Sequence, residues 1–366
     1  MSNFLEYTPV VYCVRDKYEI IFITKEAGIG AVIIDGKKYI DSICGVVRST
    51  SCIHKIYVKT DILDKAGSYT IEFRRIPERL QYHTVLGTVD HITIPFRGLP
   101  TDRDVNCYII SDTHGYIDEP SRVAGYFGDK LDLLIMGGDM GHNVNDNEGL
   151  LTTYILASNI TKGERPTIFV KGNHDNRGAL AEFLYEYVGT ENGLTYFPVR
   201  LGKLYFVVLD YGECEADDHE SFGGLADFAS IRDAQSEMLD QIIENAKNEY
   251  DAEGVEVRIA LCHIPFTRGE LPYPDKHVKW AKCFNQMKVD VLLAGHTHSA
   301  RFTPVEKLCP ANDAKFPCVE CAYINREDPT TYKGTAMIIG KEKIIIRFTD
   351  INHEISNEYI IDIKQK

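Results

Sequence analysis

The sequence predicts an α/β protein, with a smaller all-β unit in front of the α/β part. Up to about residue 98, short runs rich in β-branched and aromatic residues are separated by turn signals, without long helical periodicity. From Val105 onward, short apolar runs alternate with segments of helical periodicity. Such alternation is typical of a sheet that is covered by helices on both faces.

The first unit, residues 1–98, is predicted to be a β-sandwich. Its clearest local signal is Asp35-Gly36, a two-residue hairpin turn between two apolar runs. No grouping of nucleophile, base and metal ligands is visible in this unit, so we expect a docking or dimerising module, with a homodimer as one expected assembly. The expected strands are 9–14, 18–24, 29–35, 55–59, 69–74 and 92–96.

A polar linker at residues 97–104 marks the predicted boundary, because composition and structural period both change there. The second unit, residues 104–366, is expected to be the larger α/β domain. Its expected strands are 105–110, 131–136, 167–170, 204–209, 257–261 and 289–293. Its expected helices are 121–128, 146–159, 179–188, 230–250 and 275–287. Runs at 318–323, 334–339, 343–348 and 359–363 are expected to be strands that close a second sheet.

The chain of 366 residues has a formal net charge of −14, with 44% hydrophobic and 26% charged residues. This composition is sufficient for packed cores and has no signature of disorder. An acidic surface repels nucleic-acid backbones unless a basic patch offsets it, and no such Lys/Arg cluster is visible in the sequence. A nucleic-acid polymer is therefore not an expected partner.

Three features of the sequence concern its location. The start of the chain has no basic region followed by an apolar core, so no secretory signal is seen. No apolar run reaches the roughly 18 residues that a membrane span needs. Ten cysteines are scattered, mostly in strand-like apolar runs, as reduced core thiols would be. We therefore expect a cytoplasmic protein that does not bind a membrane.

Polar motifs directly follow five of the predicted strands. In such sheets ligands gather beyond the carboxyl ends of the strands, so we expect the motifs to lie together. Imidazole, carboxylate and amide groups on rigid strand ends are suitable ligands for divalent metals, and this set is sufficient for two ions. The motifs are Ser111-Asp112-Thr113-His114-Gly115, Gly138-Asp139, Gly172-Asn173-His174-Asp175, Cys262-His263-Ile264-Pro265-Phe266 and Gly295-His296-Thr297-His298.

This series resembles the motif pattern of the calcineurin-like metallophosphoesterases, which is matched in full between residues 105 and 300. The resemblance implies a four-layer α/β/β/α sandwich with two divalent metal ions, Mn, Fe or Zn. It also implies that Asp112, His114 and His298 bind one metal, that Asn173, His263 and His296 bind the other, and that Asp139 bridges the two.

Within that family, a β-sandwich before the catalytic domain is similar to the purple acid phosphatases and related bacterial members, where the sandwich is of the fibronectin type. Purple enzymes have a tyrosine ligand three residues after the Asp of Gly-Asp, whereas this chain has His142 there. We therefore expect no iron–phenolate colour and a plain Mn, Fe or Zn pair. For His142 three roles remain open: an extra metal ligand, a substrate contact or an ordinary loop histidine.

The chemistry of the motifs supports a phosphoester hydrolase for a small phosphorylated substrate. Two cations roughly 3.5 to 4 Å apart can share a hydroxide that attacks phosphorus. His174 would protonate the leaving alkoxide. Asp175 would either orient the His174 ring or cap the following helix. Arg177 would either contact a phosphate oxygen or form a surface salt bridge.

Alternatives to this function remain open. The motifs do not separate a phosphomonoesterase from a phosphodiesterase acting on a cyclic nucleotide or phospholipid-type diester. A non-catalytic scaffold with the same fold is a third possibility. Cys318 and Cys321 lack a second Cys pair for a zinc site, and strand alternation predicts that they face opposite sides. The acidic segment 213–220 is predicted to be a solvated loop, with cation binding or a pocket cover as alternatives.

Overall fold

Strands with two buried faces need a packed layer on each side, and this requirement organises the structure. The computed structural model describes residues 4–269 and 272–363. The strands are Val10–Val14 (β1), Lys17–Ile23 (β2), Gly28–Ile34 (β3), Lys37–Ile40 (β4), Ser42–Ile43 (β5), Val46–Val47 (β6), Ile53–Lys59 (β7), Ser68–Arg75 (β8), Glu78–Arg79 (β9), Thr84–Val85 (β10), Val89–Pro95 (β11), Val105–Ile110 (β12), Leu133–Met136 (β13), Pro166–Phe169 (β14), Phe197–Leu201 (β15), Leu204–Leu209 (β16), Val257–Cys262 (β17), Val291–Ala294 (β18), Arg301–Thr303 (β19), Cys318–Glu320 (β20), Tyr323–Asn325 (β21), Asp328–Ile339 (β22), Lys343–Asp350 (β23) and Ile355–Asp362 (β24). The α-helices are Thr60–Ala66 (α1), Asp118–Ala124 (α2), Asn147–Thr161 (α3), Phe228–Glu244 (α4) and Pro274–Met287 (α5).

The larger sheet has ten strands, and its centre is parallel. Strands β12, β13, β14 and β1 run side by side in this order, with Ile109 opposite Ile135 and Val11 opposite Pro166. Antiparallel strands β22, β23 and β24 extend one side, and β2 and β7 extend the other. The carboxyl ends of β12, β13 and β14 therefore lie at one edge of the sheet.

The second sheet has six strands in the order β15-β16-β17-β18-β20-β19. Strands β16, β17, β18 and β20 are parallel, while β15 and β19 pair with them antiparallel. The ends of β17 and β18 thus also meet at a common edge.

The two sheets pack face to face, and this confirms the predicted α/β/β/α layers. Alternation places Ile109 of β12 in a buried cluster with Phe206 of the second sheet, while Tyr108 points to the opposite side with residues of α2 and α3. On the far side of the second sheet, α4 and α5 bury their apolar stripes, including Trp280, which is 0% exposed. Rigid layers on both sides hold the strand ends in place.

The N-terminal unit shares a sheet with the α/β part. Strand β1 pairs in parallel with β14, and the sheet β11-β8-β3-β4 packs against β2, with Phe22 and Phe73 in one apolar cluster. The predicted hairpin turn is present, since Asp35 and Gly36 have φ angles of 47° and 78°, as a type I′ turn requires. The domain division at residue 98 stays a prediction, and it does not coincide with a break in the larger sheet.

The structure corrects three expectations about secondary structure. Strands β22, β23 and β24 belong to the larger sheet and do not close the second one, because β22 pairs antiparallel with β12. The segment predicted as a helix at 179–188 forms a 3-10 helix over Ala181–Glu186. Helix α1 lies within the unit that was expected to be all β, and it ends at Gly67 in the left-handed conformation.

Among residues 4–269 and 272–363, no helix is both long and apolar enough to cross a membrane. The cytoplasmic location stays a prediction. Cys318 and Cys321 belong to buried clusters on opposite sides of the second sheet, as the strand alternation predicted, and both are free thiols.

We predict that Ile20→Ala in β2 lowers the free energy of unfolding of the whole protein by about 2–5 kcal/mol, because a buried isoleucine leaves a cavity. Ile20 is 0% exposed and lies in the cluster that extends between the two sheets. Fluorescence of the single tryptophan, Trp280, reports on the far side of the second sheet. If the N-terminal unit and the α/β part unfold together, the midpoint of the denaturant transition reported by Trp280 should move to a lower denaturant concentration in Ile20→Ala.

Ile40→Ala is the matched control, because Ile40 is 45% exposed and its truncation should change stability by less than about 0.5 kcal/mol. An unchanged Trp280 transition in Ile20→Ala, with a separate earlier transition seen by circular dichroism, would instead show that the first unit folds independently.

Candidate metal centre

The predicted ligands lie on loops at the carboxyl ends of five parallel strands. Asp112 and His114 follow β12, Asp139 follows β13, and Asn173 follows β14, all in the larger sheet. His263 follows β17 of the second sheet, and His296 and His298 follow β18. Because the sheets face each other, the two sets of loops converge at one edge of the sandwich.

Five of these residues have a backbone conformation that residues other than glycine rarely adopt. Their φ angles are positive, and such strain costs of the order of 1 kcal/mol for each residue. Hydrogen bonds hold the loops in this state: the amide of His296 donates to Asp112 Oδ1 at 2.9 Å, and the amide of His114 donates to the carbonyl of Asp139 at 3.1 Å. The five are Asp112 (54°), His114 (46°), Asp139 (56°), His296 (70°) and His298 (50°).

Two motif glycines allow the loops to approach each other closely. A Cβ atom on Gly172 would lie 2.2 Å from Asp139 Oδ1, and one on Gly295 would lie 2.1 Å from Ser111 Oγ. Both contacts are with groups inside the site, so any side chain here would push a ligand loop outward. The glycines are therefore part of the ligand geometry.

The first ligand cluster contains Asp112, His114 and His298, with one ligand atom from each within 4.8 Å of the others. Nε2 of His114 lies 2.8 Å from Nε2 of His298, and the latter lies 3.5 Å from Asp112 Oδ1. This is the set that the family resemblance implied for one metal.

The second cluster contains Asp139, His263 and His296, again within 4.8 Å of one another. Nε2 of His263 lies 3.2 Å from Asp139 Oδ2. Asn173 joins this cluster, since its Oδ1 lies 3.0 Å from Nδ1 of His296. Asn173, His263 and His296 are the set that the family resemblance implied for the other metal, and Asp139 is the residue that it implied as the bridge.

Asp139 and Asp112 flank a single imidazole, which places the two clusters side by side. Nε2 of His263 is 3.2 Å from Asp139 and 4.0 Å from Asp112 Oδ1. Nδ1 of His263 donates to the carbonyl of Gly137 at 2.6 Å, so Nε2 is the nitrogen that faces the carboxylates. A carboxylate in the position of Asp139 is suited to bridge two cations.

The electrostatics of the site fit divalent cations. Asp112 is 0% exposed and Asp139 is 1% exposed, so two carboxylates are removed from water close together. Burial and the neighbouring Asp139 raise the pKa of Asp112 well above its usual value. Burial opposes the ionisation of Asp139, but attraction to His263 outweighs it and holds the pKa of Asp139 below its usual value. Buried negative charge of this kind needs positive charge beside it.

Three of the four predicted histidine ligands are kept neutral, as metal ligation requires. His263 differs, because burial opposes its protonation but the attraction of Asp139 outweighs burial and raises its pKa to about 10, so a bound cation would have to replace that proton. Burial, followed by the positive charge of Arg326, lowers the pKa of His114 to about 2. Burial and the nearby His263 lower the pKa of His296 to about 4. Burial and Arg326 also lower the pKa of His298. These side chains therefore offer free nitrogen lone pairs at neutral pH.

Comparison with known proteins agrees with this geometry. The model of the calcineurin-like phosphoesterase family matches residues 106–300, which is more than half of the chain and includes both clusters. The chain belongs to the calcineurin-like phosphoesterase family. No curated protein matches it in sequence at a significant level.

Two solved structures share the fold of this calcineurin-like phosphoesterase. Purple acid phosphatase PPD1 from seeds of yellow lupin (Lupinus luteus) is 12% identical, with a TM-score of 0.58, over 97% of this chain and 74% of the plant protein. PhoD is 13% identical, with a TM-score of 0.55, over 99% of this chain and 90% of PhoD. Both likenesses extend over the N-terminal unit as well as the two-sheet sandwich.

His174 and His142 lie beside the first cluster. The ring of His174 is centred 4.7 Å from that of His114, and the ring of His142 is centred 6.0 Å from His114. Nδ1 of His174 lies 2.6 Å from the carbonyl of His142, which leaves Nε2 facing away from the backbone. The structure thus brings both predicted residues to the site, while the role of His142 stays open.

Asp175 neither orients the His174 ring nor caps the following helix, which corrects both of its expected roles. Its carboxylate accepts hydrogen bonds from the amides of Gly172 at 2.8 Å and Asp139 at 3.0 Å. The side chain is 1% exposed and ties the loop after β13 to the loop after β14. Asp175 is therefore a positioning residue for the backbone of Asp139.

Arg177 forms an ion pair, but the pair is not an ordinary surface salt bridge. Its guanidinium donates to Glu213 Oε2 from Nε at 2.9 Å and from a terminal nitrogen at 2.5 Å. Glu213 is 1% exposed and also accepts from the amide nitrogen of Asn173 at 3.4 Å. Glu213 thereby fixes the Asn173 side chain so that its oxygen faces His296.

Three residues at the site were not predicted as site residues. Glu213 begins the acidic segment that was expected to be solvated, and its burial corrects that expectation at this position, whereas Glu215, Asp218 and Glu220 are exposed as expected. Cys214 places its sulfur 3.3 Å from Nε2 of His296, the nitrogen that faces away from Asn173. Arg326, between β21 and β22, places a guanidinium nitrogen 3.0 Å from Nε2 of His114. None of the three lies in a motif, so the sequence offered no signal for them beyond their charge or thiol.

We predict that Asp139→Asn reduces bound metal from about two ions per chain to one or fewer, because the bridging position loses its negative charge. Elemental analysis of protein purified with Mn, Fe or Zn measures this directly. His91→Ala is the control, since His91 is an exposed histidine on β11. Full metal content in Asp139→Asn would contradict the bridging assignment.

Proposed function

We propose that this protein is a binuclear metal-dependent phosphoester hydrolase that acts on a small phosphorylated substrate. The observation that carries the proposal is the pair of adjacent ligand clusters at the edge where two facing sheets meet, with Nε2 of His263 in the second cluster 4.0 Å from Asp112 Oδ1 in the first. Family membership supports phosphoester chemistry at this edge.

Each of the two clusters would hold one metal ion. Asp112, His114 and His298 would hold one ion, and Asn173, His263 and His296 the other, with Asp139 shared. When bound there, two divalent cations, Mn, Fe or Zn, would supply an activated water nucleophile at neutral pH and would compensate the charge of the phosphoryl oxygens. His142 stands where purple enzymes have a tyrosine, so we expect no iron–phenolate colour in this protein.

His174 is the proposed proton donor to the leaving group. Nδ1 donates to the carbonyl of His142, so Nε2, which also lies 3.4 Å from a terminal nitrogen of Arg177, is the nitrogen that would serve a substrate. Burial, together with the charges of Arg177 and Arg326, lowers the pKa of His174. A lower pKa makes the imidazolium a stronger acid, although a smaller fraction is protonated before an anionic substrate binds.

Arg326 is the proposed phosphate contact, in place of Arg177. Glu213 binds Nε and one terminal nitrogen of Arg177, and the other terminal nitrogen lies 3.4 Å from Nε2 of His174. The exposed Arg326 side chain has no carboxylate partner among the described residues and reaches Nε2 of His114. Its loop is held by a hydrogen bond from the Tyr116 hydroxyl to the Arg326 carbonyl at 3.0 Å. Because a guanidinium repels cations and pairs with phosphate oxygens, its natural partner at the metal centre is the substrate.

An additional positive charge favours a phosphomonoester over a phosphodiester. A monoester is close to a dianion at neutral pH, whereas a diester has one charge. Arg326 next to the first cluster therefore supports monoester hydrolysis as the main activity, with diester hydrolysis as the alternative. The further alternative, a scaffold without turnover, is disfavoured because the motif series of the family is intact.

We predict that His174→Ala keeps its metal but loses roughly 10²- to 10⁴-fold in kcat with alkyl phosphates, which need a protonated leaving group. With p-nitrophenyl phosphate, whose leaving group is a weak base, the loss should be much smaller. Steady-state kinetics on both substrates, with metal analysis of each preparation, measures the difference. Equal losses on the two substrates would remove the proton-donor assignment.

We predict that Arg326→Gln raises KM for p-nitrophenyl phosphate by roughly 10- to 100-fold, the loss expected for a charge-assisted hydrogen bond. Hydrolysis of bis(p-nitrophenyl) phosphate should change less. Arg326→Lys keeps the charge without the forked geometry, so its KM should lie between those of the wild type and Arg326→Gln. An increase in metal affinity and in activity would show instead that Arg326 obstructs the metal centre.

A further inference from the structure

A polar cavity, distinct from the metal centre, lies beside the outermost strands of the six-stranded sheet. It has a volume of about 320 Å³, and its walls include Arg268, Arg301, Lys307 and Glu320. None of the predicted metal ligands lines it. The cavity is thus a separate site, which the metal chemistry does not use.

The same loops that hold metal ligands continue into this cavity. Thr267 and Arg268 follow His263 in the loop after β17, and Arg301 begins β19 just after His298. Glu320 at the end of β20 pairs in register with Ala294 at the end of β18. Because neighbouring strands are about 4.8 Å apart, the cavity lies close to the edge that carries the metal centre.

The described walls of the cavity are positively charged, although the protein as a whole has a net charge of −14. Arg268, Arg301 and Lys307 face one acidic side chain, Glu320. Lys307 forms no ion pair with any residue of 4–269 or 272–363. A concentration of positive charge on an acidic protein attracts small anions to this place.

Glu320 holds the two guanidinium groups in position. It is 2% exposed, and it accepts from Nε of Arg301 at 2.5 Å and from a terminal nitrogen of Arg268 at 3.4 Å. The arginine side chains are themselves 45% and 49% exposed, so their other N–H groups remain accessible. The buried Glu320 carboxylate therefore holds the guanidinium groups of Arg268 and Arg301 at the same cavity, which Lys307 also lines.

We infer that this cavity binds the phosphate group of a small phosphorylated ligand. Two guanidinium forks and an ammonium group match a tetrahedral dianion in charge and in donor geometry. The phosphate would be either a second phosphate on the substrate or free inorganic phosphate. Phosphate binding in the cavity goes beyond the proposed function and does not depend on it, since the cavity shares no ligand with the metal centre. Only the assignment of this phosphate to the substrate rests on the proposed function.

The test is a double variant, Arg268→Gln with Lys307→Gln, which leaves Arg301 paired with the buried Glu320. Isothermal titration calorimetry of the metal-loaded protein with inorganic phosphate should show two phosphates per chain in the wild type. In the variant, affinity at one site should fall by roughly tenfold or more. Lys341→Gln is the control, because Lys341 follows β22 at the opposite edge of the larger sheet and is exposed.

Kinetics distinguish the two sources of phosphate. If the substrate supplies it, kcat/KM for a sugar bisphosphate should fall at least tenfold in the variant, while kcat/KM for p-nitrophenyl phosphate stays unchanged. If free phosphate binds, a noncompetitive effect of phosphate on p-nitrophenyl phosphate hydrolysis should disappear in the variant. One phosphate per chain in the wild type, with equal titrations for wild type and variant, would overturn the inference, whether or not the protein hydrolyses phosphoesters.

Discussion

The burial of Asp112 and Asp139 beside one another is the constraint on which the rest of the site depends. Two carboxylates away from water repel each other, so the surrounding structure must supply compensating contacts. His263 lies between them, backbone amides of His296 and His174 donate to them, and Asp175 ties down the backbone of Asp139. The left-handed backbone of the ligand residues persists because these contacts outweigh its strain.

A second set of contacts determines how the neutral ligand is presented. Asn173 has a side chain that could face the site with either its oxygen or its nitrogen. Glu213 accepts from the amide nitrogen and is itself held by Arg177, so the oxygen faces His296. The chain thus uses an ion pair between the half-buried Arg177 and the buried Glu213 to orient an uncharged candidate ligand, which keeps additional negative charge out of the candidate ligand set.

The metal ligands were predictable from sequence because each follows an apolar strand, and strand ends in such a fold converge. Asp112, Asp139 and His263 could be named as candidate ligands before any coordinates because their motifs also resemble those of the calcineurin-like metallophosphoesterases. Arg326 and Glu213 could not, since their loops have no motif and their roles come from tertiary contacts alone. In the fold, the parallel strands followed from their apolar runs, whereas the pairing of β22 with β12 and of β1 with β14 depends on partners distant in sequence.

The pairing of β1 with β14 has a consequence for how the chain acquires its structure during synthesis. Val11 emerges from the ribosome long before Pro166, its partner in the sheet. Until β14 has been translated, the backbone N–H and C=O groups on the outer side of β1 therefore lack their hydrogen-bond partners. Contacts between such distant segments slow folding and leave that edge of β1 exposed to aggregation during this interval.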